Sequence, residues 1–242
     1  MEEIYDNTMR NFDRRYRIKK TSNLCITAVT AVLGITSFRY GLRLESMKTI
    51  LRWMTVDGTL FTTFGALAFL AVNLWELLAN TEMTRRSVYF LRLSSAVAET
   101  VIFLVVIISQ IPFFTEHIPF VGRYDHFAMH MLIPILSVSS FLVNDSPLGK
   151  LKPLDHCRGT WFVTCYGVTI FTLISTNTLP EAMIPYFFLN YRKYAWVTVF
   201  SFDFIYGIAY FMSRMLSEWN RKLSWLWFKD IAREHMSGKS GA

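Results

Sequence analysis

Cysteine is nearly absent. The 242 residues hold three, Cys25, Cys157 and Cys165, an odd number without the close spacing of a metal knuckle, so neither a disulfide framework nor a thiolate metal site is expected. Charge is also sparse: Asp, Glu, Lys and Arg together make 18% of the chain, too little for a soluble domain of this length. No internal repeat and no low-complexity tract interrupts the sequence. None of the apolar runs alternates with period two, which excludes the strands of a membrane barrel. The stretches between those runs are short and leave no room for a soluble domain.

What fills the chain is apolar. Hydrophobic residues make up 52% and aromatic ones 16%, and the mean hydropathy is +0.30. Six stretches can cross a hydrocarbon core of ~30 Å, which takes ~20 helical residues: 22–42, 55–79, 88–111, 125–143, 160–178 and 194–215. Charges or turn formers bound each of them, among them Asn80-Thr81, Pro112, Asp145-Ser146-Pro147 and Pro180. An apolar run in lipid must satisfy its own backbone, so these stretches are expected to be helices. The expected fold is an all-α bundle of six transmembrane helices, with a transmembrane domain over 22–215 between terminal segments 1–21 and 216–242.

Lys and Arg set the orientation. With the N-terminus in the cytoplasm, 18 of the 25 basic residues fall on the inner side and 7 on the outer side, which is the positive-inside pattern and places both termini in the cytoplasm. The net charge of +7 then reports membrane orientation and attraction to anionic headgroups; nothing further in the sequence points to nucleic acid. Tyr5, Met9, Phe12 and Tyr16 share a helical stripe opposite Arg10, Arg14 and Arg17. Trp219, Leu223, Leu226, Trp227 and Ile231 mix likewise with Arg221, Lys222 and Lys229. Both ends are therefore expected to be short interfacial helices lying in the headgroup layer. The first apolar stretch is longer than a signal h-region and follows a charged leader, so it is expected to remain as an anchor.

Ionisable groups inside the apolar stretches are costly and face a polar cavity or a partner. Glu99 sits within the third stretch and Asp203 within the sixth; His126 and His130 open the fourth; Thr55, Asp57 and Thr59 open the second. With alternating helix directions all of them fall between the outer face and the midplane, so one outward-opening polar cavity is expected to collect them. His126 and His130 are four residues apart and share a face, as do Thr55, Thr59 and Thr62, while Asp57 points elsewhere.

Four strings, in order along the chain, carry a resemblance: Arg52-Trp53-Met54-Thr55; Met129-His130 followed by Pro134; Ile184-Pro185-Tyr186-Phe187-Phe188-Leu189-Asn190; and Ile205-Tyr206-Gly207-Ile208-Ala209-Tyr210-Phe211. The chain resembles the androgen-induced protein family, which includes the androgen-dependent regulator of tissue factor pathway inhibitor and six-helix relatives in bacteria. The resemblance implies a six-helix membrane hydrolase of fatty acid esters of hydroxy fatty acids, with Thr55 as nucleophile and His130 as its histidine. The family often shows Asn-His, two residues, then His-Thr. Here Asp125 takes the Asn position, three residues separate His126 from His130, and Met131 replaces the Thr.

The chemistry is consistent on its own terms. An alcohol needs a base to become a nucleophile at neutral pH, and imidazole, with a reference pKa of ~6.5, suits that task. His130 would take the Thr55 proton during attack on an ester and return it to the leaving alkoxide, and water would then release the acyl group. Asp203 or Glu99 would orient the imidazole. Oxyanion donors are open among the backbone amides at the start of the second stretch, Tyr186 and Tyr206. The expected partner is a lipid ester entering sideways from the bilayer, without a cofactor; oligomeric state and host membrane are not readable. Two other classes stay open. One is a metal-dependent lipid hydrolase, since the spacing of His126 and His130 suits shared ligation with Asp203 or Glu99 as a third ligand. The other is a non-catalytic carrier in which Glu99, Asp203, His126 and His130 form a proton-coupled path.

Overall fold

The computed structural model describes residues 2–44, 46–47, 51, 53–79, 86–110, 124–144 and 148–239, with side chains left out at 2–13, 15, 77, 109–110, 144, 187, 228 and 230–239. Every regular element among them is helical. In order they are α1 (Glu2–Leu44), α2 (Met54–Ala79), α3 (Arg86–Val105) running into a π-helical turn (Val106–Gln110), α4 (Tyr124–Phe127), a second π-helical turn (Ala128–Leu132), α5 (Ile133–Asn144), α6 (Pro153–Gly159), α7 (Trp161–Ser175), 3-10 turns at Glu181–Met183 and Phe187–Leu189, and α8 (Tyr191–Lys239).

Five helical spans are long and apolar enough to cross a membrane: Tyr16–Leu44, Met54–Glu76, Arg86–Ile108, Tyr124–Val143 and Tyr191–Trp227. The protein is thus an all-α, multi-pass membrane protein by length and composition. The stretch expected over 160–178 forms α7, apolar but 15 residues long, or ~22 Å at ~1.5 Å per residue. Its end has a local cause. Asn177 turns left-handed at φ 58°, a conformation Asn tolerates beyond a helix C-terminus, and Arg192 donates to the Ile174 carbonyl at 2.8 Å and to the Asn177 side chain.

The terminal segments differ from expectation. Residues 2–21 and 216–239 do not form separate short helices; each stretch continues a membrane-length helix, α1 and α8. No Pro or Gly occurs before Gly34 or between Gly207 and Gly238, so neither residue breaks these terminal stretches; the one kink in α8, at Tyr194 (φ −133°, ψ 51°), lies at its start. Tyr5, Met9, Phe12 and Ile231 lie outside the described side chains. Lys20 instead ties α1 to α2 through Glu76 at 3.2 Å, and Lys19 reaches Ser224 of α8 at 3.4 Å.

The core is centred on α3, where Leu93, Ala96, Val97 and Ala98 are fully buried. Small residues bring the helices close, as is usual where lipid provides no hydrophobic drive between them: Gly34 lies against Thr63 and Gly65 against Ser95. The α8 span is the least enclosed, 11% buried against 61% for the α3 span. Trp196, Phe200, Phe204 and Phe211 point outward from it, the apolar face expected toward acyl chains.

Candidate active site

Thr55 is the second residue of α2, and Trp53 caps the entry to that helix. The Trp53 carbonyl accepts from the Val56 and Asp57 amides at 3.0 and 3.2 Å, so those two N–H groups are engaged within the helix start. The chain from Ile184 to Asn190 folds over this entry, with the Tyr186 ring edge-on to Trp53 at 5.5 Å and stacked on Phe188 at 5.3 Å. Its phenol hydrogen-bonds the Thr55 hydroxyl and the Met54 backbone. Burial pushes the Tyr186 pKa up to about 12 against the lowering effect of these two bonds, so at neutral pH the ring carries its proton. The Tyr166 phenol, from α7, also reaches the Met54 backbone.

Thr55 opens into a groove of about 350 Å³ between the start of α2, the end of α3, α7 and α8, lined by Tyr166, Tyr186, Phe202, Asp203 and Tyr206 among mostly apolar neighbours. Asp203 is exposed on the flank of α8. Asp57 lies instead in an adjoining groove with Leu51, Leu173 and Leu179, and Tyr166 forms the wall between the two.

His130 occupies the π-helical turn and is 5% exposed. Its ring stacks on His126 with centroids 5.8 Å apart and planes 8° from parallel, and the Asp125 carboxylate lies 3.8 Å from His126 Nε2. The neighbouring Met129 packs on Val56, next to Thr55, with Trp53, Leu60, Phe38 and Leu42 around it. The π turn thus docks against the first turn of α2.

One cavity collecting every polar group was expected, and the structure divides them. Thr55, Tyr186, Asp203 and Tyr206 share that groove; His126 and His130 stack on each other beside the first turn of α2, outside its lining; Glu99 faces Thr62 inside the bundle. Asp203 and Glu99 are therefore not alternatives for one position. The cause is azimuth: α8 packs outside α3, so equal depth does not bring its side chain inward. The parallel rings of His126 and His130 are stacked rather than converging on one point. Among the described residues no group of three His, Cys, Asp or Glu side chains is placed to hold a metal ion.

Two features were missed from the sequence. Tyr166 showed no motif. Arg92, one of the 18 basic residues assigned to the inner side, is 1% exposed; it donates to Ser140 Oγ at 2.6 Å and lies over the Phe69 ring at 5.1 Å. Ser140 donates in turn to Asn23, which also accepts from Thr27. A lone Arg six residues into an apolar helix was the available signal. Comparison of the chain with protein-family models, with curated proteins and with solved structures finds no match in any of the three.

Proposed function

We propose that the protein is an integral-membrane ester hydrolase in which Thr55 is the nucleophile, His130 the base and Tyr186 an oxyanion donor. The observation that carries this reading is the placement of the Thr55 hydroxyl. It sits against a protonated phenol at the head of a helix, facing a largely apolar groove. An acyl chain enters sideways and lies along Val101, Val105, Phe171 and Phe202 while the ester stays beside Thr55 and Tyr186.

In this reaction Thr55 Oγ bonds to the ester carbonyl carbon as its proton passes to His130. The Tyr186 hydroxyl donates to the oxyanion, a task for which the engaged Val56 and Asp57 amides are poorly placed. Collapse breaks the ester C–O bond, His130 returns the proton to the leaving alkoxide, and water then releases the fatty acid from Thr55. Docking of the π turn on α2 through Met129 and Val56 supports the pairing of base and nucleophile. The resemblance to the androgen-induced protein family belongs to the same proposal. So do the finer points of topology: α7 as a sixth, shortened membrane helix and both termini in the cytoplasm, in keeping with the distribution of Lys and Arg.

Labelling membranes with a fluorophosphonate and mapping the adduct tests the reading. An adduct on Thr55 that disappears in both Thr55→Ala and His130→Ala is the expected result. Absence of any adduct on folded, monodisperse wild-type protein would sink it.

A further inference from the structure

Threonine hydroxyls in this protein usually return to their own helix. Thr30, Thr36, Thr63, Thr100, Thr172 and Thr198 each donate to a carbonyl one turn back, the ordinary arrangement for a hydroxyl in an apolar helix. Thr59 and Thr62 do not. Both are fully buried, and neither hydroxyl reaches a hydrogen-bond partner. Both carboxyl oxygens of Glu99 and the hydroxyls of Ser37 and Ser137, all on fully buried side chains, are in the same condition. The Thr62 hydroxyl faces the Glu99 carboxyl but stops short of hydrogen-bond geometry.

Helix register puts these groups together. Gly65 against Ser95 and Gly58 against Ile102 set α2 antiparallel to α3 with Thr62 level with Glu99. Gly34 against Thr63 sets α1 so that Ser37 lies level with Thr59 and Leu60. Arg92 on Ser140 sets α5 so that Ser137 falls about one turn from Glu99. Thr55, Thr59 and Thr62 follow at intervals of four and three, one stripe of α2 leading from the nucleophile inward. A stripe from Thr55 to Thr62 rises ~10 Å.

Orphaned polar atoms are costly anywhere and most costly where no bulk solvent can relieve them. A buried site that offers several donors and acceptors is one that holds ordered water, whereas empty cavities are apolar. We propose that α1, α2, α3 and α5 enclose a closed file of ordered water, running along Thr59 and Thr62 from Thr55 to Glu99, and that it supplies the water that hydrolyses the acyl-Thr55 ester. The second half of this statement rests on the proposed hydrolase function; the water file does not. At ~2.8 Å between oxygens the stripe accommodates three or four waters. The leading water attacks the acyl carbonyl, its proton passes to His130, the carbonyl–Oγ bond breaks, and Thr55 recovers the proton as the carboxylic acid leaves. Glu99 acts as a positioning residue that accepts from the last water and fixes the direction of the file.

Radiolytic hydroxyl-radical footprinting of the full chain in nanodiscs detects bound water beside buried side chains, and it needs no turnover. Wild type is expected to be modified over residues 96–102 of α3, and Thr59→Val/Thr62→Val to lose that modification. An unmodified wild-type segment overturns the file. Pre-steady-state hydrolysis of a neutral p-nitrophenyl ester tests the supply. The double valine variant is expected to keep the first, acylating burst while turnover falls about tenfold and acyl-Thr55 accumulates by mass spectrometry. Thr59→Ser/Thr62→Ser, which returns both hydroxyls, is expected to restore turnover. Lost footprinting with unchanged turnover overturns the role in deacylation. If no protein forms an acyl-Thr55 adduct, the hydrolase reading falls, and footprinting alone decides the file.

Discussion

A phenol and a secondary alcohol sharing one hydrogen bond at a helix entrance make Tyr186 the most informative side chain beside Thr55. A structural tyrosine would gain the same stability from its ring contacts with Trp53 and Phe188 alone. The hydroxyl is what the two roles do not share. Tyr186→Phe keeps both ring contacts, so the fold should persist while the transition state loses a donor. A fall of ~10²–10³ in kcat with little change in KM is the expected outcome, the usual cost of one oxyanion-hole donor. A Tyr186→Phe enzyme with unchanged kcat would return the oxyanion role to another group. Thr55→Ser keeps a hydroxyl and should keep fluorophosphonate labelling, whereas Thr55→Ala should lose it. Tyr186 was legible as part of a motif, but its partner was not, because a motif reports order along the chain and not what lies across from it.

Proline governs the element that carries the candidate base. Pro134 lacks an N–H, and its ring crowds the carbonyl four residues earlier, that of His130. The helix answers by widening: the Ile133 amide bonds to the Ala128 carbonyl, five residues back, and 128–132 becomes a π turn. Such a turn inserts one residue and rotates what precedes it by ~100° relative to an unbroken helix. Pro134→Ala removes the cause, and an α-helical repair would swing His130 away from the first turn of α2. The variant should remain helical by circular dichroism while labelling of Thr55 slows by ~10²-fold, in line with small misplacements of catalytic groups; labelling at the wild-type rate would dissociate the π turn from function. At the other end of the bundle Asp155 pins α6. Burial alone would raise its pKa, but the Lys152 amide and the Arg86 and Arg158 guanidinium groups together hold it below the usual carboxylate range. A depressed folded pKa stabilises at pH values above the unfolded value of about 3.8, and that contribution is lost as pH falls through the lower, folded value. Asp155→Asn should therefore melt below wild type at pH 7, with the gap closing in strong acid. A gap independent of pH would mean that the carboxylate charge is not what pins the helix.

Across the whole molecule, hydropathy and charge counts made the membrane class, the all-α architecture and most helix positions legible. The rest was hidden for a common reason: hydropathy measures depth along one axis and is blind to rotation about it. Thr55, Glu99, His130 and Asp203 were read as sharing a level and gathered into one cavity, whereas Asp203 is exposed on α8 and lines the groove with Thr55, and Glu99 is buried against Thr62. The same blindness concealed the continuity of α1, where charge pattern suggested an interfacial segment but no backbone breaker existed to make one. The corrected placement of Asp203 bears on what the groove accepts. Among the described residues that line the groove none is basic, and the single carboxylic acid is Asp203. An ionised carboxylate drawn into the groove would meet the Asp203 carboxyl and, among the described residues, no counterion, and a like-charge juxtaposition costs up to several kcal/mol. A carboxylate-bearing ester must then keep that group outside while its acyl chain and ester enter, and a neutral ester carries no such restriction. Wild type should favour a neutral long-chain ester over one of equal length ending in a free carboxylate. Asp203→Asn should raise kcat/KM for the acidic ester by roughly tenfold, about 1.4 kcal/mol, and leave the neutral one nearly unchanged. Equal gains on both substrates would mean that Asp203 limits entry by shape, and no gain on either would remove it from the path of the substrate.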